Sequence, residues 1–451
     1  MKNGIRFVLR LALIAAVALS GAARTQAAGA APPKGTYDGI YPQHQPYGKG
    51  VGAMPGRVVW THDPASVKWD GKGYWWKLEH FNEKAIQKMT DDGIAALAGA
   101  SDAKSGWQRL FSAHNKTRGK SGGYKAGQKI AVKANINGAG AYGDDQKGET
   151  GESYTNPVLL KTLLVSLVRD AGAAPADITV YDTGRIFPDY MRRLCGTGIL
   201  RGVKFSYRDV GGANDAAADR RAPVVWSQRV DGARCFFPKC VTEADYLINL
   251  ANLKGHDYGI TLCAKNHFGS FVNTNRMRAP QEAGLHKYLT QNRMNAYTVL
   301  VDLMGSYQLG EKTVLCMLDA IISPAQNTVP VTGENSRWTM APFNGDYTAS
   351  LFFSQDQVAI DSVGADLLAS EPMVARHNYA MRDNPYVENY LHEAGLAANA
   401  PSGAVYRNGN GKRIKNLGVH EHWNNATDKK YGRNLGKSEG IELIYLGAAK
   451  Q

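Results

Sequence analysis

The chain has 451 residues, of which 43% are hydrophobic and 21% are charged, with 53 Lys and Arg against 40 Asp and Glu. Disorder requires few hydrophobic residues and a high net charge, and beyond the N-terminus no apolar run reaches the length of a membrane span. The composition therefore excludes a disordered chain and a multispan membrane protein. We expect one or two packed globular domains.

Residues 1–27 have the three parts of a secretory signal peptide. Lys2, Arg6 and Arg10 precede a short apolar run, and small residues ending in Ala27 offer a cleavage site. The apolar run is too short to span a bilayer. We therefore expect cleavage, no transmembrane anchor in the mature protein, and a periplasmic or secreted location.

The excess of basic residues is spread along the chain instead of forming one stripe, which argues against sequence-specific nucleic-acid binding. Diffuse positive charge suits a small anionic ligand or an acidic glycan as partner, although plain solubility explains it as well. Of the five cysteines, Cys235 and Cys240 are the closest pair, and a disulfide between them is expected in an oxidising compartment. No iron–sulfur cluster is expected, because four closely spaced thiolates are absent.

The elements that follow the signal begin with a lead rich in Gly, Pro and Tyr. A short strand is predicted at 57–60, and two helices are predicted after Asn82 and after Ser101 from apolar residues at helical spacing. From residue 129 the pattern becomes strand, helix, strand: a strand over 129–137, a helix beginning at Asn156-Pro157, and a strand over 178–182.

The later elements continue this alternation, which is typical of a parallel sheet. They are strands at 246–250, 313–318 and 350–353, helices at 296–304 and after Asp356, and final strands at 417–423 and 441–446. The fold class is therefore α/β, with a mainly parallel sheet and helices on both faces. We divide the chain into a signal peptide at 1–27, an N-terminal lead and helical cap at 28–127, an α/β core at 128–370 and an irregular or β C-terminal extension at 371–451.

The long connection between the first core strand and its helix is rich in glycine. Such connections usually have two to six residues, so its length favours a functional or mobile segment. It contains Gly138, Gly140 and Gly143 in the spacing of a dinucleotide-binding loop. However, the helix begins thirteen residues after Gly143, too far to hold a pyrophosphate at its N-terminus.

Polar residues stand where the predicted strands end, and in parallel sheets the ligand crevice lies at those ends. Lysines there would hold an anionic substrate, and a histidine would be the acid–base group near neutral pH. Taken singly, Asp182 is explained as a turn residue and Asp356 as a helix N-cap. The candidates are Lys133, Asn135, Asn137, Lys254, Lys265 and Asn266 for substrate binding and Asp182, His256, His267 and Asp319 for catalysis, the last four also as ligands of a divalent metal.

A second group of polar residues lies near the C-terminus. On a strand, His420 and His422 point to one side and Glu421 to the other. This spacing suits a divalent metal, with a third ligand from elsewhere in the chain. Packing against Trp423 explains the two histidines equally well.

The ordered motifs resemble the domain of unknown function family DUF362 over about residues 128–370. They are Lys133-Ala134-Asn135, Thr155-Asn156-Pro157, Ala244-Asp245 through Lys254-Gly255-His256, Lys265 to Gly269, and Asp356 to Gly364. The resemblance implies an exported protein or one joined to an iron–sulfur module, and no general activity. This chain lacks the ferredoxin cysteines and has Gly255 where threonine is usual. Its opening also resembles, in architecture, the N-terminal half of nickel-dependent lactate racemases.

Two functions remain open. The first is an enzyme that acts on a small anionic or carbohydrate-derived substrate in the crevice, with assistance from a metal as an option. The second is a non-catalytic protein that binds an acidic glycan or a metal ion.

Overall fold

The computed structural model describes residues 41–139, 150–209, 212–231, 234–273, 285–289, 293–327, 329–378 and 386–447. The predicted signal peptide and the glycines at 140, 143 and 148 lie outside these residues. Within them, no helix combines the length and the apolar character needed to cross a membrane.

An eight-stranded sheet forms the centre of the molecule. Its strands in chain order are β1 Arg57–His62, β2 Ile130–Ala134, β3 Ile178–Asp182, β4 Lys204–Tyr207, β5 Tyr246–Asn252, β6 Thr313–Ala320, β7 Ser350–Ser354 and β8 Glu442–Gly447. Their order across the sheet is β8-β1-β7-β6-β5-β2-β3-β4. Seven strands run in one direction, and only β7 is antiparallel to its neighbours. This confirms the predicted α/β fold with a mainly parallel sheet.

Helices cover both faces of the sheet. The helices are α1 Glu83–Ala98, α2 Ala103–Thr117, α3 Pro157–Arg169, α4 Asp189–Leu194, α5 Lys239–Thr242, α6 Cys263–Asn266, α7 Val299–Gly305, α8 Gln357–Ser370, α9 Pro372–His377 and α10 Tyr386–Gly395. Successive side chains of a strand point to opposite faces. Accordingly, Ile130 and Val132 of β2 pack with apolar residues of α1, α2 and α3, whereas Ala131 joins the core formed with α7, α8 and α10.

Side-chain caps explain where the main helices begin. The oxygens of Asn82, Asn156 and Asp356 accept backbone N–H groups in the first turns of α1, α3 and α8, as the sequence predicts. Pro157 occupies the first position of α3, where its missing N–H costs nothing. The helix predicted to begin after Ser101 is α2, and Asp102, the next residue, is its N-cap.

Two predicted strands are shorter in the structure. Strand β2 ends at Ala134, because the next residue, Asn135, exchanges backbone and side-chain hydrogen bonds with Thr155. Of the strand predicted over 417–423, only Val419–His420 is extended in a ladder, since the carboxylate of Asp366 accepts the N–H of Trp423 that a neighbouring strand would otherwise bind.

Segments on both sides of residues 128–370 complete the sheet. Strand β1 comes from the N-terminal lead and pairs with β7, and β8 comes from the C-terminal extension and pairs with β1. The remaining short strands are Tyr47–Gly48, Ala218–Pro223, Cys235–Pro238, Lys254–His256, Gly259–Thr261, Val272–Asn273, Arg337–Trp338, Asp346–Tyr347 and Val419–His420.

Candidate functional site

A cavity of about 390 Å³ lies beyond the C-terminal ends of β2 and β3. We name it the crevice. Parallel strands end at the same edge of the sheet, so their terminal polar residues meet there. The predicted residues that line it are Lys133, Asn135, Asn137, Asp182, His256, Lys265 and Asn266.

A buried ion pair forms one wall of the crevice. The Nζ atom of Lys133 lies 3.0 Å from Oδ2 of Asp182 and 3.0 Å from Oδ1 of Asn266. Burial lowers the pKa of Lys133, and the charge of Asp182 opposes that shift. Asp182 also accepts the N–H groups of Ile136 and Gly184. The pair is therefore fully engaged in holding the ends of β2 and β3 together.

Arg185 is a crevice residue that sequence reasoning missed. Its guanidinium donates to the backbone oxygen of Asn137 at 2.9 Å, to the side-chain oxygen of Asn137 at 2.8 Å and to the oxygen of Gly184 at 3.0 Å. Asn135 in turn accepts the N–H of Asn137. The position of Arg185, three residues after the end of β3, is the signal that would have found it.

Lys265 faces the crevice from the end of α6. Its Nζ atom lies 4.8 Å from the centre of the Phe268 ring and 3.5 Å from Nε2 of His286. Among the described residues it forms no ion pair with a carboxylate. Burial, followed by the charges of Lys254 and Arg185, lowers the pKa of Lys265 to about 7. Lys265 is therefore able to exchange a proton near neutral pH.

His256 lines the crevice but is neutral. Its Nδ1 atom accepts the N–H of Tyr258 at 3.1 Å, so the ring proton lies on Nε2. Burial, and the charge of nearby Lys265, hold its pKa well below the ordinary value. The ring stacks on His286, with ring centres 5.9 Å apart. A neutral imidazole with a lowered pKa and an occupied Nδ1 has little tendency to take up a proton near pH 7.

His267 and Asp319 do not line the crevice. His267 is fully buried between Asn249 and the hydroxyl of Ser270, and burial lowers its pKa to about 3. Asp319 accepts the N–H groups of Asn156 and Ile321, and burial raises its pKa to about 6. The structure therefore places both residues outside the crevice lining, where Asp319 holds two backbone N–H groups and His267 contacts two buried polar side chains.

Lys254 also lies behind the crevice wall. Its buried Nζ atom donates to the carbonyl of Ser153 at 2.8 Å, and burial lowers its pKa to about 7. It acts on the crevice through its charge, which lowers the pKa of Lys265. Other residues that line the crevice and lie in segments without a periodic pattern are Thr150, Glu152, Tyr258, His286 and Asn327.

The predicted disulfide is absent. Cys235 and Cys240 are both thiols, and burial raises the pKa of each to about 12. Cys235 begins the strand Cys235–Pro238, which extends by about 3.3 Å per residue. The extended strand carries the chain away from Cys235 before Cys240 in α5, so a spacing of five residues does not by itself bring the two thiols together.

A second cluster contains the predicted pair His420 and His422. The structure adds His44 and Glu388, and one ligand atom from each of the four residues lies within 4.8 Å of the others. We name these four residues the histidine cluster. Glu421 points away, as the alternation predicts, and accepts the N–H of Gly432. Among the residues that the structure describes, only this group brings three or more His, Cys, Asp or Glu side chains close enough to share a metal ion.

The chain matches a protein-family model. A family model described as a domain of unknown function (DUF362) matches residues 130–366. The matched range begins at β2, ends within α8 and contains Lys133, Asp182, Arg185 and Lys265, whereas the histidine cluster lies outside it. No curated protein matches the chain.

Proposed function

The chain belongs to the domain of unknown function family DUF362, and on that premise, which assigns no activity, we propose that it is an enzyme acting on a small anionic or carbohydrate-derived substrate in the crevice. The observation that carries the proposal is Lys265. It has a pKa of about 7, lies at the crevice surface, and forms no ion pair among the described residues.

Two cations suit an anionic substrate. Lys265 and Arg185 both line the crevice, and a carboxylate or phosphate between them would form charge-assisted hydrogen bonds. Asn135, Asn137 and Asn266 supply amide groups at the same surface. The volume of about 390 Å³ lies near the lower end of ligand pockets, which suits a molecule of the size of a sugar acid.

Proton transfer is the chemistry that Lys265 supports. A general acid or base works best when its pKa lies near the working pH, and burial has brought this lysine to that range. Lys133 is unsuited to this role, because Asp182 and Asn266 already occupy its ammonium group. We therefore assign proton transfer to Lys265, which shares the binding of the substrate anion with Arg185.

Export is part of the proposal, since residues 1–27 carry the features of a signal peptide. The intact mass of protein from the periplasm tests this, because a mature chain should lack those residues. Protein that retains residues 1–27 there would refute cleavage.

Lys265→Met should keep the fold and weaken the binding of a small anion by about 1.5–3 kcal/mol, the scale of a lost charge-assisted hydrogen bond. Malate, phosphoglycolate and gluconate are suitable probes, and the shift of the melting temperature that each causes reports its affinity. The matched control is Lys287→Met, because Lys287 is an exposed lysine that directly follows His286, a residue of the crevice lining. Equal anion-induced shifts in wild type and Lys265→Met would remove Lys265 from the site.

Turnover separates an enzyme from a binding protein for the same anions. In D₂O, NMR should show deuterium entering a bound anion at a carbon next to its carboxylate in the presence of wild type, and no such exchange with Lys265→Met. Binding without exchange or product formation across the panel would favour the non-catalytic alternative.

Anion affinity should fall as the pH rises above about 7. The bound anion favours the charged ammonium of Lys265, whose pKa in the free protein is about 7, so binding at higher pH requires uptake of a proton. The association constant should decrease by up to about tenfold per pH unit. Titration calorimetry between pH 6 and 9 measures this slope. A slope that Lys265→Met leaves unchanged would contradict the assignment.

A further inference from the structure

The ligand atoms of the histidine cluster are spaced as around a single ion. Nε2 of His44 lies 3.3 Å from Nε2 of His420, and Nε2 of His420 lies 3.6 Å from Oε1 of Glu388. Nε2 of His422 lies 2.8 Å from Oε2 of Glu388. Ligands at about 2.0–2.1 Å from a tetrahedral Zn²⁺ ion are about 3.3 Å apart. These three distances lie near that value, and an ion would draw together the more distant atoms of the set, which lie within 4.8 Å of one another.

Hydrogen bonds fix all three rings with Nε2 facing the centre of the cluster. Nδ1 of His44 lies 2.7 Å from the carbonyl of Gln45, and Nδ1 of His422 lies 2.6 Å from the carboxylate of Asp366. These oxygens can only accept, so each Nδ1 carries the proton.

His420 reaches the same state through Ser362. The Ser362 hydroxyl donates to the carbonyl of Val358, and therefore accepts from Nδ1 of His420 at 2.9 Å. Each Nε2 atom consequently faces the centre of the cluster, where an ion would take the place of the proton that Nε2 of His422 donates to Glu388. Outer partners that orient ligating histidines in this way are typical of metal sites.

The charges of the site match a divalent cation. Glu388 and Asp366 supply two negative charges in a largely buried position, while the three imidazoles are neutral as ligands. A 2+ ion balances them. In addition, the buried hydroxyl of Tyr41, whose ring stacks on His422 at 4.7 Å, has no hydrogen-bond partner among the described residues. A buried polar atom of this kind beside the ligands is satisfied by a bound ion or a water molecule at the site.

We propose that His44, His420, His422 and Glu388 bind one Zn²⁺ ion in a closed tetrahedral site with a structural role. Three nitrogens and one carboxylate oxygen suit zinc, and four protein ligands leave no open position for a substrate. His392 holds Glu388 through a hydrogen bond of 2.5 Å. The ion links the N-terminal lead, α10 and the strand Val419–His420, segments that no local sequence pattern connects.

The test uses untagged protein purified from the periplasm without chelators. Mass spectrometry of metals should find about one zinc per chain, and removal of zinc by dipicolinate should lower the melting temperature, with recovery on addition of zinc. His420→Ala should retain less than a tenth of the zinc, whereas His377→Ala, in α9 and outside the cluster, should retain all of it. A zinc content unchanged by His420→Ala would overturn the proposal, as would a melting temperature unchanged by removal of zinc.

A second variant covers the case in which His420→Ala fails to fold. Protein reconstituted with Co²⁺ should show the visible absorption of a tetrahedral site, and Glu388→Gln should shift or weaken that absorption. A spectrum identical in wild type and Glu388→Gln would exclude this ligand set. Lys265→Met should keep both the zinc and the cobalt spectrum, so failure of the zinc site and failure of the crevice proposal are separate outcomes.

Discussion

Replacing Lys133 by alanine should lower the free energy of unfolding by about 3–5 kcal/mol, the usual cost of removing one partner of a buried ion pair. Only 1% of the Lys133 side chain and 6% of the Asp182 side chain are exposed. The change leaves the Asp182 charge buried and takes a donor from Asn266 and from the carbonyl of Ala134. Urea unfolding, followed by tryptophan fluorescence, measures the loss.

The control is Lys129→Ala, which removes an ion pair just before the same strand. Lys129 and Glu243 lie 3.2 Å apart, but about half of each side chain is exposed, so the expected cost is about 0–1 kcal/mol. Lys133→Met, which keeps the apolar volume, should be nearly as damaging as Lys133→Ala, because the uncompensated charge dominates. If Lys133→Ala costs no more than Lys129→Ala, the pair does not support this edge of the sheet.

Gly255→Thr should destabilise the protein by about 3 kcal/mol, at the upper end of the cost of overpacking. A Cβ atom at this position would overlap the carbonyl oxygen of Ala325 and the amide nitrogen of Asn378. That amide donates to the carbonyls of Ala325 and His256, so the added atom would also break a bridge beside the crevice. Thermal and urea unfolding of the variant report the effect.

The matched control for this change is Gly333→Ala. The nearest atom to a Cβ at Gly333 is 3.6 Å away, which is an ordinary contact, and no comparable loss is expected. If Gly255→Thr unfolds at the same urea concentration as wild type, the backbone at Gly255 can move aside. The result would also show whether this chain tolerates the residue that the resemblance makes usual at position 255.

Local patterns predicted the framework well because caps and periodicity act over a few residues. Asn156-Pro157 and Asp356 carry the signals that begin α3 and α8, and the structure uses them in that way. Lys133, Asn135 and Asn137, which strand alternation predicts on one face, do line one cavity, although β2 itself ends at Ala134. Asp182 lies beside them because the C-terminal ends of neighbouring parallel strands meet at the same edge of the sheet.

The details of both sites depend on contacts that no local pattern records. Lys265 and Asn266 face the crevice, but the short helix α6 turns the next residue, His267, into the core. A helical turn rotates successive side chains by about 100°, so three consecutive residues cannot all face one cavity. His44 and Glu388 join His420 only through packing of distant segments, so the third and fourth ligands could not be named beforehand.

The pairing of β8 with β1 has a kinetic consequence. Arg57 and Glu442 are 385 residues apart in the sequence and meet across this pair. At about 5–20 residues per second, synthesis of the intervening chain takes roughly 20–80 s. The edge of β1 that β8 covers has no neighbour for all of that time, and the edge that β7 covers has none for most of it. An open strand edge can pair with another chain. The nascent protein therefore spends its longest waiting period in an association-prone state, and closing this edge is among the last steps of folding.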